Sequence, residues 1–430
     1  MSDSSINRVR VLFADQLNLA RGKYLPKYFA DRGKARFCAG VYAVTYGRDL
    51  IAAPGAGADE GLPDLEAVFD PVNLRPGWEE NTAVAIADVH HPDGTAPLCG
   101  RSALKAVIAK WKERGLNPMI GLEGEAYIFE KDENDNWVPY NTPGAFVYGT
   151  GPFTDPEGLT DLIWQAAEAT GIQIESLNSE YDTPQFELTL AFTDALKACD
   201  DFFLFRTMAR ELLYKKGYLL SFMPQPIEGI SGSGMHVNLS FLDDDGNSVF
   251  AGATEKGALS DLVQGCIAGL IHHHEALGAL LAPTVNSYAR LKPGTLSGYW
   301  ANWGFDHRGV AVRVSAETGK AARIEHRVGD CAASPFIAVA AVLNAALLGV
   351  EKGYDLTPAE TGDGLETVNT ERHVPESLGD ALKLLTADTV LTRGMGQMLV
   401  DNFVAIKEAE IKELDGKSHA ETFEYYAPFI

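Results

Sequence analysis

Five glutamates and one histidine in this 430-residue chain stand where their side chains could share a cation. Glu123 and Glu125 lie two apart in MIGLEGEAYIFEK (119–131), an apolar run rich in strand formers, so a strand would turn both carboxylates to one face. Glu180 and Glu187 follow, with Glu175, in IQIESLNSEYDTPQFELTL, again among strand-forming residues. In GSGMHVNLSF (232–241), Met235, Val237, Leu239 and Phe241 share one face and His236, Asn238 and Ser240 the other. RIEHR (323–327) alternates too, setting Arg323, Glu325 and Arg327 opposite Ile324 and His326. Glu123, Glu125, Glu180, Glu187, Glu325 and His236 thus form an oxygen-rich, thiolate-free donor set. Hard divalent cations such as Mg2+ or Mn2+ prefer such a set to zinc's Cys/His sites.

A second group is cationic: Arg290, Arg308, Arg313, Arg323 and Arg327. They fall in a segment, Arg290–Arg327, holding seven Lys/Arg against three acids, in a chain of net charge −23. A positive island in so acidic a protein is most simply a pocket for anions, because guanidinium forks match carboxylates and phosphates. Carboxylate–metal clusters facing arginines recur where phosphoryl groups move, since both neutralise charge on the transferred group. No GxxxxGKS/T sequence occurs, and SGSG lacks the lysine that would make it one, so a nucleotide would be held differently. These residues support a metal-dependent phosphoryl-transfer or hydrolytic enzyme. The competing reading is a set of surface ion pairs, with Glu325 in a plain ladder between two arginines.

The elements that must position these groups are legible from periodicity and breakers. Residues 10–16, 40–46 and 84–88 read as strands of a small β-rich unit over 1–98, interrupted by the irregular APGAGADEGLPD at 53–64. Arg101–Arg114 reads as a helix opening a second unit, 99–430. Further helices are expected at Thr160–Thr170, Asp194–Lys216 (closed by Gly217), Ala332–Gly349, Leu378–Leu385 and Val400–Leu414. The turn DDDGNS closes a hairpin; it lacks the last glutamate of a calcium loop. His272–His274 lie in a helix, where three consecutive side chains diverge, which argues against a shared metal.

Composition removes whole classes. A pI near 4.8 disfavours nucleic acid as a partner. Cys38, Cys99, Cys199, Cys266 and Cys331 are odd in number and scattered, with no CxxC pair, which fits a reducing cytoplasm. MSDSSINRVRVLF shows no signal-peptide pattern. The most apolar long run, 332–350, contains Ser334, Pro335 and Asn344 and reads as a buried helix, so no membrane span is expected.

Six blocks then resemble the glutamine synthetase family, in its order: GLEGEAYIFE, SEYDTPQFEL, FMPQP, GSGMHVNLS, NSYARLKPG with WGFDHRGVAVR, and RIEHRVGDCAASPF. They run from about residue 119 to 350. The resemblance implies an α+β fold: a β-grasp-like N-terminal domain (1–98) and a catalytic domain (99–430) of curved antiparallel sheet with flanking helices. It implies a homo-oligomer of stacked rings, often a dodecamer, with active sites between subunits. It also implies phosphorylation of the γ-carboxylate of L-glutamate by ATP, followed by displacement of phosphate by an amine. By motif, Glu125, Glu180 and Glu187 would hold one Mg2+, and Glu123, His236 and Glu325 a second. Arg290 and Arg327 would grip glutamate with the Gly232 backbone. Glu175, Asn238, Ser240, Arg313 and Arg323 match ATP-site positions. Arg308 would stabilise the phosphoryl transfer.

The departures bear on the nucleophile. Ammonia-using members carry PGxEAP after the NSYxRL block, with the glutamate on a flap that helps take a proton from ammonium. Here the segment is PGTLSG, with Leu296 at the acidic position. The FDGSS signature, whose aspartate helps bind ammonium, is absent; the corresponding region reads RFCAGVYAVTYG. An apolar wall disfavours a bare ammonium ion and suits a substituent on an amine. The chain therefore resembles the branch that makes γ-glutamyl amides from alkylamines, including glutamate–methylamine ligases. Smaller departures are Asn238 for a second His in GMHxH, Gln225 for Lys in FMPKP, Ser334 for the Asn of NPY, and Pro184 for a Gly. An ordinary glutamine synthetase with a relocated proton acceptor is the alternative. A relative without catalysis is disfavoured by six filled ligand positions.

Overall fold

One strand organises the molecule. In the computed structural model, which describes residues 6–430, Asn117–Lys131 runs for fifteen residues through a ten-stranded sheet. The residues 1–5 that open the segment read above for a signal peptide lie outside the described residues. Along the main path the strand order is Ile174–Ser179, Gln185–Leu190, Asn117–Lys131, Met235–Leu242, Ile324–His326, Val312–Val314, Trp303–Phe305. Neighbours pair antiparallel except the last two strands, which are parallel. Three short strands, Trp137–Pro139, Thr193–Asp194 and Leu219–Ser221, also pair with 117–131.

The two faces of this sheet differ because side chains alternate along each strand. Leu122, Ala126, Val237, Leu239 and Ile324 are buried in the core. Gly124, between the two glutamates, needs its missing side chain: a Cβ there would lie 2.7 Å from the Phe202 ring and 3.1 Å from Cys331 Sγ. That close approach seats the Ala195–Lys215 helix. Asp194 starts the helix by accepting the Lys197 amide at 3.0 Å, and Gly217 (φ 87°) follows its end.

The apolar run near 332–350 is the Pro335–Lys352 helix, with proline in its first turn and left-handed Gly353 at its end. It is the one helix among the described residues long and apolar enough to cross a membrane, yet it is mostly buried inside the fold. The histidine triplet straddles a break between helices Asp261–His272 and His274–Leu281. Its rings diverge: His272 stacks on Tyr354, His273 Nδ1 lies 2.5 Å from Asp388, and buried His274 faces the Tyr299 carbonyl.

The N-terminal strands form two small sheets. Strand Arg8–Ala14 pairs antiparallel with Ala20–Pro26 and parallel with Thr82–Ile86, while Lys34–Cys38, Asp64–Val68 and Asp88–His90 form the second sheet. Two expectations are corrected here. Residues 40–46 are not a strand: Ala39–Ala43 is a 3-10 helix, and the strand lies just upstream. Ala39, Tyr42, Ala43 and Tyr46 are all buried, a helical spacing that the apolar run had disguised as a strand. The single strand expected at 84–88 divides between both sheets, breaking at Ala87. The first strand ends at Ala14 because the Asp15 carboxylate accepts the amides of Leu17 and Leu19, each at 2.9 Å, and turns the chain. The C-terminal segment is helical, with Leu378–Ala387, Thr389–Met395, Gln397–Leu414 and His419–Tyr426.

Candidate active site

Register brings five of the six candidate ligands onto one face of the large sheet, while Glu180 lies in the loop between strands 174–179 and 185–190. Glu187 stands directly opposite Glu125, and Glu123 opposite His236. On the next rung Gly121, Asn238, Glu325 and Arg313 line up across four strands. The period-two reading of 119–131, 232–241 and 323–327 therefore places these groups where it predicted.

The tightest cluster joins Glu123, His236 and Glu325, with ligand atoms within 4.8 Å of one another; no other such triad occurs among the described residues. His236 Nδ1 lies 3.3 Å from Glu123 Oε2 and 3.3 Å from Glu325 Oε1. Asn238 Nδ2 donates to Glu123 Oε1 at 2.8 Å. Burial raises the Glu123 carboxyl, but the hydrogen bond and charge of His236, then Asn238 and Arg327, overcome it and bring it down to about 2. Glu325 is buried and also held low, because Arg327, His236 and Arg313 outweigh its desolvation. It is bonded to Arg327 Nη1 and, at 3.1 Å, to Arg313 Nη1.

The second set, Glu125, Glu180 and Glu187, is looser and more electronegative. Burial and then the charges of Glu123, Glu125 and Glu180 push Glu187 up to about 8, with Arg308 opposing them. Glu180 is raised by burial and by Glu125. The repulsion that raises Glu180 and Glu187 is what a bound cation would relieve. Oxygen donors with one imidazole, carrying this excess of negative charge, fit a hard divalent ion.

The arginines divide by partner. Buried Arg290 meets only carbonyls, Val328 O at 2.9 Å and Arg327 O at 3.3 Å, and borders Gly232. Arg327 Nη2 also donates to Leu296 O at 3.4 Å, while its Nε is buried without a partner. Arg313 bonds Asp306 at 2.5 Å, and Arg323 Nε bonds Asn238 Oδ1 at 3.0 Å. Arg308 is exposed and reaches the cluster through its field on Glu187. Ser240 is buried with an unpartnered hydroxyl, and Leu296 is 53% exposed.

Two placements qualify the expectations. Glu175 lies exposed on the edge strand 174–179, and both ends of the Asn238 amide are already engaged. In the loop after Phe305, His307 Nδ1 accepts the Gly309 amide at 3.1 Å, so its Nε2 donates to Gly362 O at 2.9 Å. Asp306 is tied to Arg313.

Reasoning from sequence missed Gln185, whose amide contacts Glu125 at 3.2 Å. Its place two residues before Glu187 on one strand was an available signal. It also missed buried Asp330, pushed up to about 6 mainly by burial, beside Ser287 and Arg290; no periodicity marks it.

Comparison with known proteins agrees with this architecture. Residues 97–426 match the family described as glutamine synthetase, catalytic domain. A glutamine synthetase of Halobacterium salinarum is 30% identical over 435 residues, covering 99% of this chain and 94% of the relative. One from Clostridium saccharobutylicum is 31% identical over 375 residues, covering 83% and 84%. Among solved structures, one described as a novel glutamine synthase homolog superposes with a TM-score of 0.84 at 26% identity over 98% of each chain. Apo GmaS, a gamma-glutamylmethylamide synthetase, gives 0.83 at 26% over 97% of each. A GmaS/ADP complex gives 0.82 at 27% over 96% of this chain and 95% of the other. The residues that build the carboxylate and arginine face all lie inside the matched catalytic domain, and this chain belongs to the glutamine synthetase family of ligases.

Proposed function

We propose that this ligase uses ATP and Mg2+ or Mn2+ to join the γ-carboxylate of L-glutamate to a primary amine other than ammonia, giving a γ-glutamyl amide, ADP and phosphate. The observation that carries the reading is Leu296, an exposed apolar side chain at the position where the ammonia-using pattern has a glutamate, on a loop whose backbone is bonded to Arg327. An apolar group there offers nothing to a bare ammonium ion and packs against an alkyl substituent. The likeness to GmaS supports the same choice.

Each group then has a role. Glu123, His236 and Glu325 hold one divalent ion, and Glu125, Glu180 and Glu187 another; bound, such ions neutralise charge on phosphoryl oxygens. Arg290 and Arg327 grip glutamate beside Gly232. Arg313, Arg323 and Ser240 face the nucleotide, and exposed Arg308 meets charge developing on the transferred group. Asn238 acts by orienting Glu123 and Arg323. Glu175 reaches a nucleotide only if the ligand extends to the sheet edge. The protein works in the cytoplasm as a ring-forming homo-oligomer whose neighbouring subunits complete each site.

The test is ADP release with glutamate and a panel of amines. Turnover is expected with alkylamines well above that with ammonium; robust turnover with ammonium alone overturns the proposal. That result would favour the second reading, an ordinary glutamine synthetase, which the activity named for relatives near 30% identity supports.

A further inference from the structure

Gln185 is buried on the site face, two residues before Glu187, and carries no charge to explain its place among carboxylates. Its Nε2 lies 3.2 Å from Glu125 Oε2, 3.1 Å from Gly232 O and 3.3 Å from Ser233 Oγ. Glu125 Oε2 also accepts the Gly234 amide at 2.7 Å. One oxygen of Glu125 is therefore tied to the 232–234 loop, which leaves Oε1 to meet a cation. The far side of that loop rests on Arg290. A Cβ on Gly234 would lie 2.6 Å from Arg290 Nη2, and one on Gly232 would lie 2.6 Å from Arg290 Cγ. A single primary amide thus stands between a carboxylate of the cation set and the backbone that borders a buried arginine.

We propose that Gln185 is a positioning residue that couples cation binding at Glu125 to glutamate binding at Gly232 and Arg290. This rests on the assignment of those residues to metal and glutamate. Hydrogen bonds to an ionised acceptor are stronger and more directional than neutral ones. A cation drawing on Oε1 fixes the carboxylate, and the carboxylate fixes Gln185 and the Gly234 amide. The loop then holds one arrangement against Arg290. Without the cation, repulsion among Glu125, Glu180 and Glu187 works against the same arrangement. Because coupling between sites is reciprocal, glutamate tightens the cation by the factor with which the cation tightens glutamate.

The experiment is calorimetric titration of L-glutamate with and without Mg2+, on the wild type, Gln185→Met and Gln185→Glu. Met removes the amide at similar volume. Glu keeps the shape but replaces the donor with an acceptor, and remains informative should the Met variant fail to fold. In the wild type Mg2+ is expected to tighten glutamate about 5- to 10-fold, within the usual range of coupling. In either variant the factor falls below about 2-fold, on the same scale. A merely structural Gln185 would lower the melting temperature and leave that ratio intact. Variants that keep the wild-type ratio, or a wild type that binds both ligands without coupling, overturn this inference and leave the proposed function standing. A wild type that binds neither ligand overturns both.

Discussion

Glu187 stands directly opposite Glu125 across the strand pair 185–190 and 117–131, and its carboxyl is pushed up to about 8 by burial and by the surrounding glutamates. The folded chain thus holds a proton that an unfolded glutamate, with an ordinary value of 4.5, gives up. Between pH 4.5 and 8 the folded state binds more protons, so this group's contribution to stability falls as pH rises through that window. A divalent cation bound at this proposed site would compete with the proton and relieve the repulsion. Mg2+ is therefore expected to raise the melting temperature more at pH about 8.5 than at about 6.5, the direction given by proton linkage. Glu187→Gln should flatten the difference. An Mg2+ increment independent of pH in the wild type would count against the carboxylate set as a cation site.

Glu325 accepts from buried Arg327 and partly buried Arg313 and faces His236 at 3.3 Å, so its charge balances two guanidinium groups at the proposed cation site. Glu325→Gln keeps the shape and is expected to lower turnover by about 100-fold or more, in line with the loss of one preorganised charge in a site. Glu325→Ala should also destabilise the fold by about 3–5 kcal/mol, because it strands the buried Arg327 guanidinium. Steady-state ADP release and thermal melts check both. Near wild-type turnover in the Gln variant would remove Glu325 from the chemistry.

Leu296 contributes its carbonyl to Arg327 and leaves its side chain exposed, so substitution there changes an exposed side chain without breaking that bond. Leu296→Glu is expected to shift preference toward ammonium, relative to larger amines, by about 10-fold in kcat/KM, or about 1.4 kcal/mol. Competition between ammonium and an alkylamine measures it. An unchanged ratio would mean that this position does not select the nucleophile.

Much of the site was legible because strands obey a period of two. Glu123 with Glu125, His236 with Asn238 and Ser240, and Arg323 with Glu325 and Arg327 share a face for that reason. Where periodicity is ambiguous the expectation fails: the apolar run 40–46 has buried positions three and four apart and opens in the 3-10 helix Ala39–Ala43. Irregular segments gave no such handle. Only the folded structure shows that both nitrogens of His307 are engaged, by Gly309 and Gly362, or that Asp306 is tied to Arg313.

The sequence by itself determined the kind of chemistry: hard oxygen ligands, an arginine island, an apolar residue where an acid was expected, and the strands that carry them. Tertiary structure decided the pairing. Which carboxylate opposes which depends on register between strands far apart in sequence, as with Glu123 and His236 or Asn238 and Glu325. Register follows from packing the opposite face, where Gly124 admits Phe202, and no local spacing records it. Burial likewise belongs to the whole fold, which is why one glutamate is drawn down to about 2 while Glu187 on the neighbouring strand is driven up to about 8.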